Sequence, residues 1–312
     1  MRQAPTTDHP AAFIGFGEAG EAIASGWLAE EGVDAGAVRA YDIKTDSDDA
    51  AIAEGKRADY ARVGIIGCDS AADALSGAAL VFSTVTADQA RIVAEGAAAN
   101  IAKGALYFDC NSCSPGAKRK AAEAIEAAGG RYVDTAVVAP VYPKRHKAPM
   151  LISGPHAEAG LEALSSLGMS ATIVEGAVGA ASSIKMIRSV MMKGLEALFL
   201  ECVLSGRRAG VDEVVLASLD DTFPDFGFAR RAAYMLERSA THGLRRAAEM
   251  REVAVTVDEL GLTGRMARAT VDWQQQIGDL KIKADFGTDG EGDYQALADA
   301  LIAKLISRED AA

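Results

Sequence analysis

Residues 11–31 read AAFIGFGEAGEAIASGWLAEE: four apolar residues, three glycines within six positions, then a stretch with helical spacing. Nothing else in the chain narrows its fold as much. A G-x-G-x-x-G pattern is weak alone. Here it follows a predicted strand, opens a helix and stands at the front of a βαβ unit, the context a dinucleotide pyrophosphate requires. Gly15 permits the tight turn, Gly17 lets a pyrophosphate approach the backbone, and Gly20 lets helix and strand pack closely. The helix N-terminus adds N–H groups and a positive dipole. Phe16, Glu18 and Ala19 complete the cofactor loop. Asp42 ends the second strand, 22 residues past Gly20. An acid there accepts from a ribose diol and repels a 2′-phosphate, which favours NAD. Lys44 and Thr45 follow at once and keep NADP possible. Val85 and Thr86, closing ALVFSTV, are the remaining expected cofactor contacts.

Behind the fingerprint, short apolar runs alternate with helical stretches. VRAYD, VGIIGC, ALVFSTV, ALYFDC, RYVDTAVVA, PMLISG and SATIVEG read as strands. Such alternation implies right-handed crossovers and a mainly parallel sheet covered on both faces. It stops near Gly176. From there the chain reads as helices: a long one over 180–210, then 212–221, 227–239, 243–260, 264–280 and 293–307. The expected architecture is an α/β Rossmann-type doubly wound sheet followed by an all-α domain joined through a long helix. The boundaries are a disordered tail over 1–10, an NAD(P)-binding domain over 11–178 and an all-α substrate and dimerisation domain over 179–312. DFGTDGEGD, near 285–293, is expected to be an exposed loop.

The 312 residues are 49% hydrophobic but only 6% aromatic, which suits many helices packed around small side chains. A formal net charge of −12 argues against non-specific binding to nucleic acid or anionic membrane. No apolar run reaches ~18 residues, so no membrane span is expected. MRQAPTTDHP has no signal pattern, and a cytoplasmic location is the default expectation.

Cys110 and Cys113 stand in a C-x-x-C spacing within FDCNSCSPGAK. A redox dithiol would open a helix directly, and a zinc site needs a second ligand pair that this sequence lacks. The reading preferred is two small residues at a strand end, with no metal site expected.

On the long helix, Lys185, Arg188, Ser189, Met192 and Lys193 share one face. A lysine in apolar surroundings has its pKa lowered by desolvation and neighbouring cations, and so exchanges a proton near neutral pH. A surface cation is the ordinary alternative for a single helical lysine.

Four segments, in order, change that balance: GFGEAGEAIASGWLAEEG, DCNSCSP, residues 134–154, and GAASSIKMIRS. With them the chain resembles the β-hydroxyacid dehydrogenase superfamily, which includes 3-hydroxyisobutyrate and 6-phosphogluconate dehydrogenases and the imine reductases. The resemblance implies an N-terminal Rossmann domain, a long helix and an all-α domain. It also implies Lys185 as general acid/base, and Asn111 and Ser112 in the substrate loop. Ser189 takes the place where the family usually has Asn. The family's Ser-Gly-Gly is here Val138-Ala139-Pro140, which argues against an ordinary short β-hydroxy acid. From about Met191 the chain resembles a less characterised, phosphogluconate-dehydrogenase-like branch with its own C-terminal domain.

In that branch's segment THGLRRAAEMREVAVTVDELG, His242, Arg245, Arg246 and Glu249 share a helical face. A solvated ion-pair face and a substrate-facing cluster both fit this spacing. A basic pair there suits a carboxylate or phosphate. The expected protein is an NAD(P)-dependent dehydrogenase acting on a CH–OH group of a small anionic substrate. Lys185, Ser189 and Asn111 are its catalytic residues, and Asn111, Ser112, Lys193, His242 and Arg246 bind substrate. Relatives imply a homodimer. An imine reductase on the same fold and a non-catalytic NAD(H) sensor are the alternatives.

Overall fold

The computed structural model describes residues 11–282 and 293–309. The expected tail over 1–10 and nearly all of the acidic loop lie outside them. The chain forms two compact units that meet between Met186 and Ile187. The break falls inside a helix and not at its start, because the first turns of that helix are bonded to the sheet.

In chain order the first unit contains β1 (Ala11–Ile14), α1 (Glu18–Gly26), β2 (Val38–Tyr41), α2 (Ala50–Val63), β3 (Ile66–Gly67), α3 (Ala71–Leu75) and β4 (Leu80–Ser83). It continues with α4 (Ala90–Ala98), β5 (Leu106–Asp109), α5 (Pro115–Ala127), β6 (Arg131–Val137), β7 (Met150–Ser153), α6 (Ala157–Ser166) and β8 (Ala171–Ile173). The sheet order is β3-β2-β1-β4-β5-β6-β7-β8. All neighbours run parallel except β6 and β7. The order reverses direction between β1 and β4, where a doubly wound sheet opens a crevice at its carboxyl edge.

Both faces are packed, as the continuous apolar strands predict. Phe13, Phe82, Phe108 and Val133 are register partners on one face. Their rings stack at 5.4 Å (Phe13–Phe82) and 4.7 Å (Phe82–Phe108), under Trp27 and Leu164. Tyr107 and Tyr132 stack on the other face with Ala121, Ile125 and Leu75. Burying one such ring is worth roughly 1.5–3 kcal/mol.

The register also aligns a row that is not apolar. Ile14 pairs with Tyr41 and Ser83, Ser83 with Asp109, Asp109 with Asp134, and Asp134 with Ser153. Four consecutive strands therefore bring a polar residue to one line across the sheet, at the edge where the site is built.

α7 (Ala180–Ala209) carries the chain into the second unit, which holds α8 (Asp212–Thr222), α9 (Phe228–Glu259), α10 (Arg265–Asp279) and α11 (Tyr294–Glu309). Its core gathers Phe199, Leu200, Leu216, Leu236, Ile277 and Leu301. The two helices expected over 227–239 and 243–260 are a single one, α9. Gly243 does not break it, because it sits where α9 crosses α10. A Cβ on Gly243 would lie 2.5 Å from the Gln274 carbonyl oxygen, and one on Gly278 2.5 Å from the Leu244 nitrogen. The glycines serve close approach of two helices. Among the described residues no helix is long and apolar enough to cross a membrane.

Candidate active site

The fingerprint loop holds itself in shape through backbone bonds. Gly15 has φ +82°, and its N–H donates to the Tyr41 carbonyl at 2.8 Å. A Cβ there would meet Val85 Cγ1 at 2.5 Å and the Thr84 carbonyl at 2.8 Å. Gly20 is nearly as tight, with Thr84 Oγ1 3.1 Å from its missing Cβ, whereas nothing lies within 4 Å of the Cβ position of Gly17. Gly17 caps α1 without any side-chain bond. The open side of Gly17 and the uncapped first turn fit a pyrophosphate.

Asp42 is bound into the same loop. Its carboxylate accepts from Phe16 N at 2.8 Å and from Lys44 N at 3.0 Å. Lys44 itself is exposed. Beside it a cavity of about 270 Å³ is lined by Thr45, Arg57, Tyr60, Cys68 and Asp69 among others. The acid that favours NAD thus has both oxygens engaged by N–H donors, and two cations stand within the same stretch. Asp42 alone does not carry a preference for NAD over NADP.

The loop after β5 is held from within. Asn111 is 3% exposed, and both ends of its amide are engaged. Oδ1 accepts from Val85 N at 2.7 Å, while Nδ2 donates to Ser83 Oγ at 2.9 Å and Asp109 Oδ1 at 2.8 Å. It therefore ties the cofactor loop after β4 to the loop after β5. Ser112 is half-buried beside it. Ser114 caps α5 through Ala117 N.

Beneath these loops lies a buried charge network that sequence reasoning missed. Asp109, Lys118 and Asp134 are each fully buried. Lys118 Nζ stands 3.0 Å from Asp109 Oδ1 and 3.6 Å from Asp134 Oδ1, and it also donates to the Asp109 carbonyl. Tyr132 OH donates to Asp109 Oδ2 at 2.6 Å, with burial pushing that phenol's pKa up. The two carboxylates outweigh their burial cost on Lys118 and hold its pKa above the ordinary lysine value.

Asp134 Oδ2 accepts from Gly179 N (3.0 Å), Ser182 N (3.1 Å), Ser182 Oγ (3.1 Å) and Ser153 Oγ (3.0 Å). Ser153 Oγ in turn accepts from Ala181 N at 3.0 Å. A carboxylate and a hydroxyl from the sheet thus cap the first turn of α7, where the helix dipole favours negative charge. One turn further on stands Lys185, half-buried, with its charge felt by the buried Cys110.

A signal for this network was present in the sequence. Pro115, Lys118, Ala121, Ala122 and Ile125 form the buried stripe of α5, so Lys118 is a cation at an apolar position.

Cys110 and Cys113 are free and buried. Burial raises the Cys110 thiol to about 12 even though Lys118 and Lys185 oppose it, the reverse of a reactive thiolate. Glu30, Glu31 and His146 have metal-ligand atoms close together. Their charge is already met by Arg145 and Lys147.

In the helical unit, Lys193 Nζ donates to Ser189 Oγ at 3.0 Å and pairs with Glu249 at 3.1 Å. Arg246 pairs with Glu196 at 2.9 Å, both nearly buried. Burial raises Glu196 and lowers Arg246. His242 Nε2 faces Arg238 Nη1 at 2.9 Å. Burial first, then Arg238, Arg245 and Arg246, depress its pKa to about 4. The predicted residues therefore fall into separate groups. The loop residues, Asp42 and Asn111 gather at one sheet edge. Ser189 joins Lys193 and Glu249, Arg246 joins Glu196, and His242 joins Arg238.

Residues 11–176 match the family described as the NAD binding domain of 6-phosphogluconate dehydrogenase. The chain belongs to this family. Its place is in the β-hydroxyacid dehydrogenase superfamily, with a distinct C-terminal region, of which residues 207–277 match a domain of unknown function. A conserved hypothetical protein from Sinorhizobium meliloti 1021 is 35% identical, with 97% of this chain and 99% of that one covered and a TM-score of 0.72. An uncharacterised 28.5 kDa protein of Methanothermus fervidus is 31% identical over 150 residues, 48% of this chain. The match spans only 57% of that curated relative's length.

Likeness of fold alone extends to Mycobacterium tuberculosis 3-hydroxyisobutyrate dehydrogenase with L-serine, at 15% identity, TM-score 0.66, and 93% and 98% of the two chains. It extends also to an Aspergillus terreus reductive aminase in complex with NADPH, at 16% identity, TM-score 0.52, and 94% and 99% coverage. The family is one of dehydrogenases and reductases that bind NAD(P), and an NADPH-bound neighbour gives no support to the expected preference for NAD.

Proposed function

We propose that this protein is an NAD(P)-dependent oxidoreductase that interconverts an alcohol and its carbonyl, with a hydroxy acid or related anionic alcohol as substrate. The observation that carries the reading is the cap on α7. Asp134 and Ser153 fix the first turn of that helix at the carboxyl edge of the sheet, the same edge that carries the fingerprint, and so set where Lys185 stands. Gly15, Gly17 and Gly20 with the α1 N-terminus hold the pyrophosphate. Asp42 takes the adenosine ribose, Lys44 and Arg57 lie ready for a 2′-phosphate, and Val85 and Thr86 flank the dinucleotide. The dinucleotide, when bound, gives or takes the hydride.

Lys185 removes the hydroxyl proton on oxidation and returns it to the carbonyl oxygen on reduction. Asn111 positions the Val85 loop, Ser112 and Ser189 supply hydrogen bonds, and Lys193, His242 and Arg246 serve the anionic end. A homodimer in the cytoplasm is the expected assembly and location. A screen of 3-hydroxy acids, their carbonyl partners and cyclic imines, each with NAD(H) and NADP(H), tests the reading through nicotinamide absorbance. Turnover of alcohol and carbonyl pairs is expected. Turnover of imines alone would replace it with imine reduction, and dinucleotide binding with no turnover of any compound would leave a sensor.

A further inference from the structure

Asp109 and Asp134 are register partners on neighbouring strands, both fully buried and both within reach of one ammonium group. Asn111 N and Nδ2 donate to Asp109 Oδ1, and Tyr132 OH donates to Asp109 Oδ2. The first turn of α7 and Ser153 donate to Asp134 Oδ2. The remaining oxygen, Asp134 Oδ1, is buried without a hydrogen-bond partner. Lys118 Nζ stands 3.6 Å from it, and meets the Asp109 carbonyl, Asp109 Oδ1 at 3.0 Å and the Thr135 carbonyl at 3.4 Å more closely. On Asp134 the lysine therefore acts as a charge and not as a hydrogen-bond donor.

Two buried carboxylates side by side do not both stay ionised without a cation; one of them takes up a proton. Oxygens that already accept from N–H or O–H groups are poor places for it, which leaves Asp134 Oδ1. Asp134 is also the carboxylate that caps α7. Its negative charge strengthens that cap through charge-assisted bonds and through the helix dipole. The other titratable groups around the pair are Tyr107 on β5, Tyr132 on β6, and Cys110 and Cys113 in the loop after β5. α7 contributes Lys185 one turn further on, and α5 the exposed Arg119, whose Nη1 lies beside Gly179. Ser153 and Ser182 are uncharged.

We propose that Lys118 is a positioning residue for the reaction: by holding Asp134 as a carboxylate it keeps a charged cap on α7 and so the placement of Lys185. The link to proton transfer rests on the oxidoreductase reading; the charge on the cap does not.

Hydrogen exchange of the full chain, read by mass spectrometry on the peptide that carries Gly179 and Ser182, tests this without turnover. In Lys118→Met these amides exchange roughly tenfold faster than in the parent at about pH 6, and the excess shrinks towards about pH 9 as Asp134 ionises. Adding Asp109→Asn to Lys118→Met removes the competing charge and restores the parent's protection. Adding Asp134→Asn instead also leaves one carboxylate of the pair, but removes the cap and restores nothing. With the alcohol and carbonyl pair that the parent turns over, kcat falls and recovers in the same order while dinucleotide affinity holds. If Lys118→Met alone does not fold, the two double variants decide. Equal protection in both of them overturns the proposal, as does an Asp109 double variant that is unfolded or unprotected. An excess of exchange that does not change with pH overturns it too. A parent that turns over no compound ends the oxidoreductase reading, and the exchange pattern still decides the cap.

Discussion

Gly15 and Gly17 stand two positions apart in surroundings that make opposite predictions for the same substitution. Gly15→Ala forces a Cβ against Val85 and the Thr84 carbonyl at a positive φ, so both folding stability and dinucleotide binding are expected to fall. Gly17→Ala meets no protein atom, so its melting temperature stays near that of the parent while dinucleotide affinity drops roughly tenfold or more. Equal affinity in the Gly17 variant, read by calorimetric titration, would remove the pyrophosphate from this loop. Lys118→Met leaves Asp109 and Asp134 buried without their cation, at a cost of about 3–5 kcal/mol measured by urea unfolding. Its raised pKa means the Lys118 contribution persists through neutral pH and is lost only above the ordinary lysine range. His242 has the opposite sign. A base depressed to about 4 stabilises the fold above its ordinary value near 6.5 and loses that contribution as pH falls from there towards 4. His242→Asn should flatten the fall of unfolding free energy across that window, and a slope identical to the parent's would contradict the assignment.

At the scale of elements, the contrast lies between two helical glycines. Gly243, in α9, meets α10 backbone at 2.5 Å, whereas Gly55, exposed in α2, meets nothing within 4 Å. Gly243→Ala is expected to destabilise by about 1–3 kcal/mol and Gly55→Ala to stabilise by roughly 0.5–1 kcal/mol, both from denaturant midpoints. A neutral Gly243→Ala would mean that the helices do not cross there. The same glycine explains why one helix reads as two. Glycine signals both a helix end and a close crossing, and local spacing carries no information about the partner helix that decides between them. The strands were legible for a different reason. The central ones, buried on both faces, are continuous apolar runs, and β4, β5 and β7 end on the polar residues Ser83, Asp109 and Ser153. What those polar ends do was not legible, since Asp109, Asp134 and Ser153 meet only through the register of β5, β6 and β7.

For the whole molecule, the α/β half and the helical half follow from where the alternation stops, and the fingerprint loop from its glycines. The role proposed for Lys185 came through resemblance, because one lysine on a helix looks like any surface cation; the cap from Asp134 and Ser153 fixes the start of its helix. Lys118 was not legible because its meaning depends on Asp109 and Asp134, partners distant or on another strand, and on burial that composition does not reveal. The proposed proton transfer depends on Lys185. The most direct measurement is turnover by Lys185→Ala at saturating dinucleotide and substrate, with dinucleotide affinity determined on the same preparation. A loss of about 10²-fold or more with affinity unchanged is the predicted result. Turnover equal to the parent enzyme would contradict the assignment of Lys185 as the group that moves the hydroxyl proton.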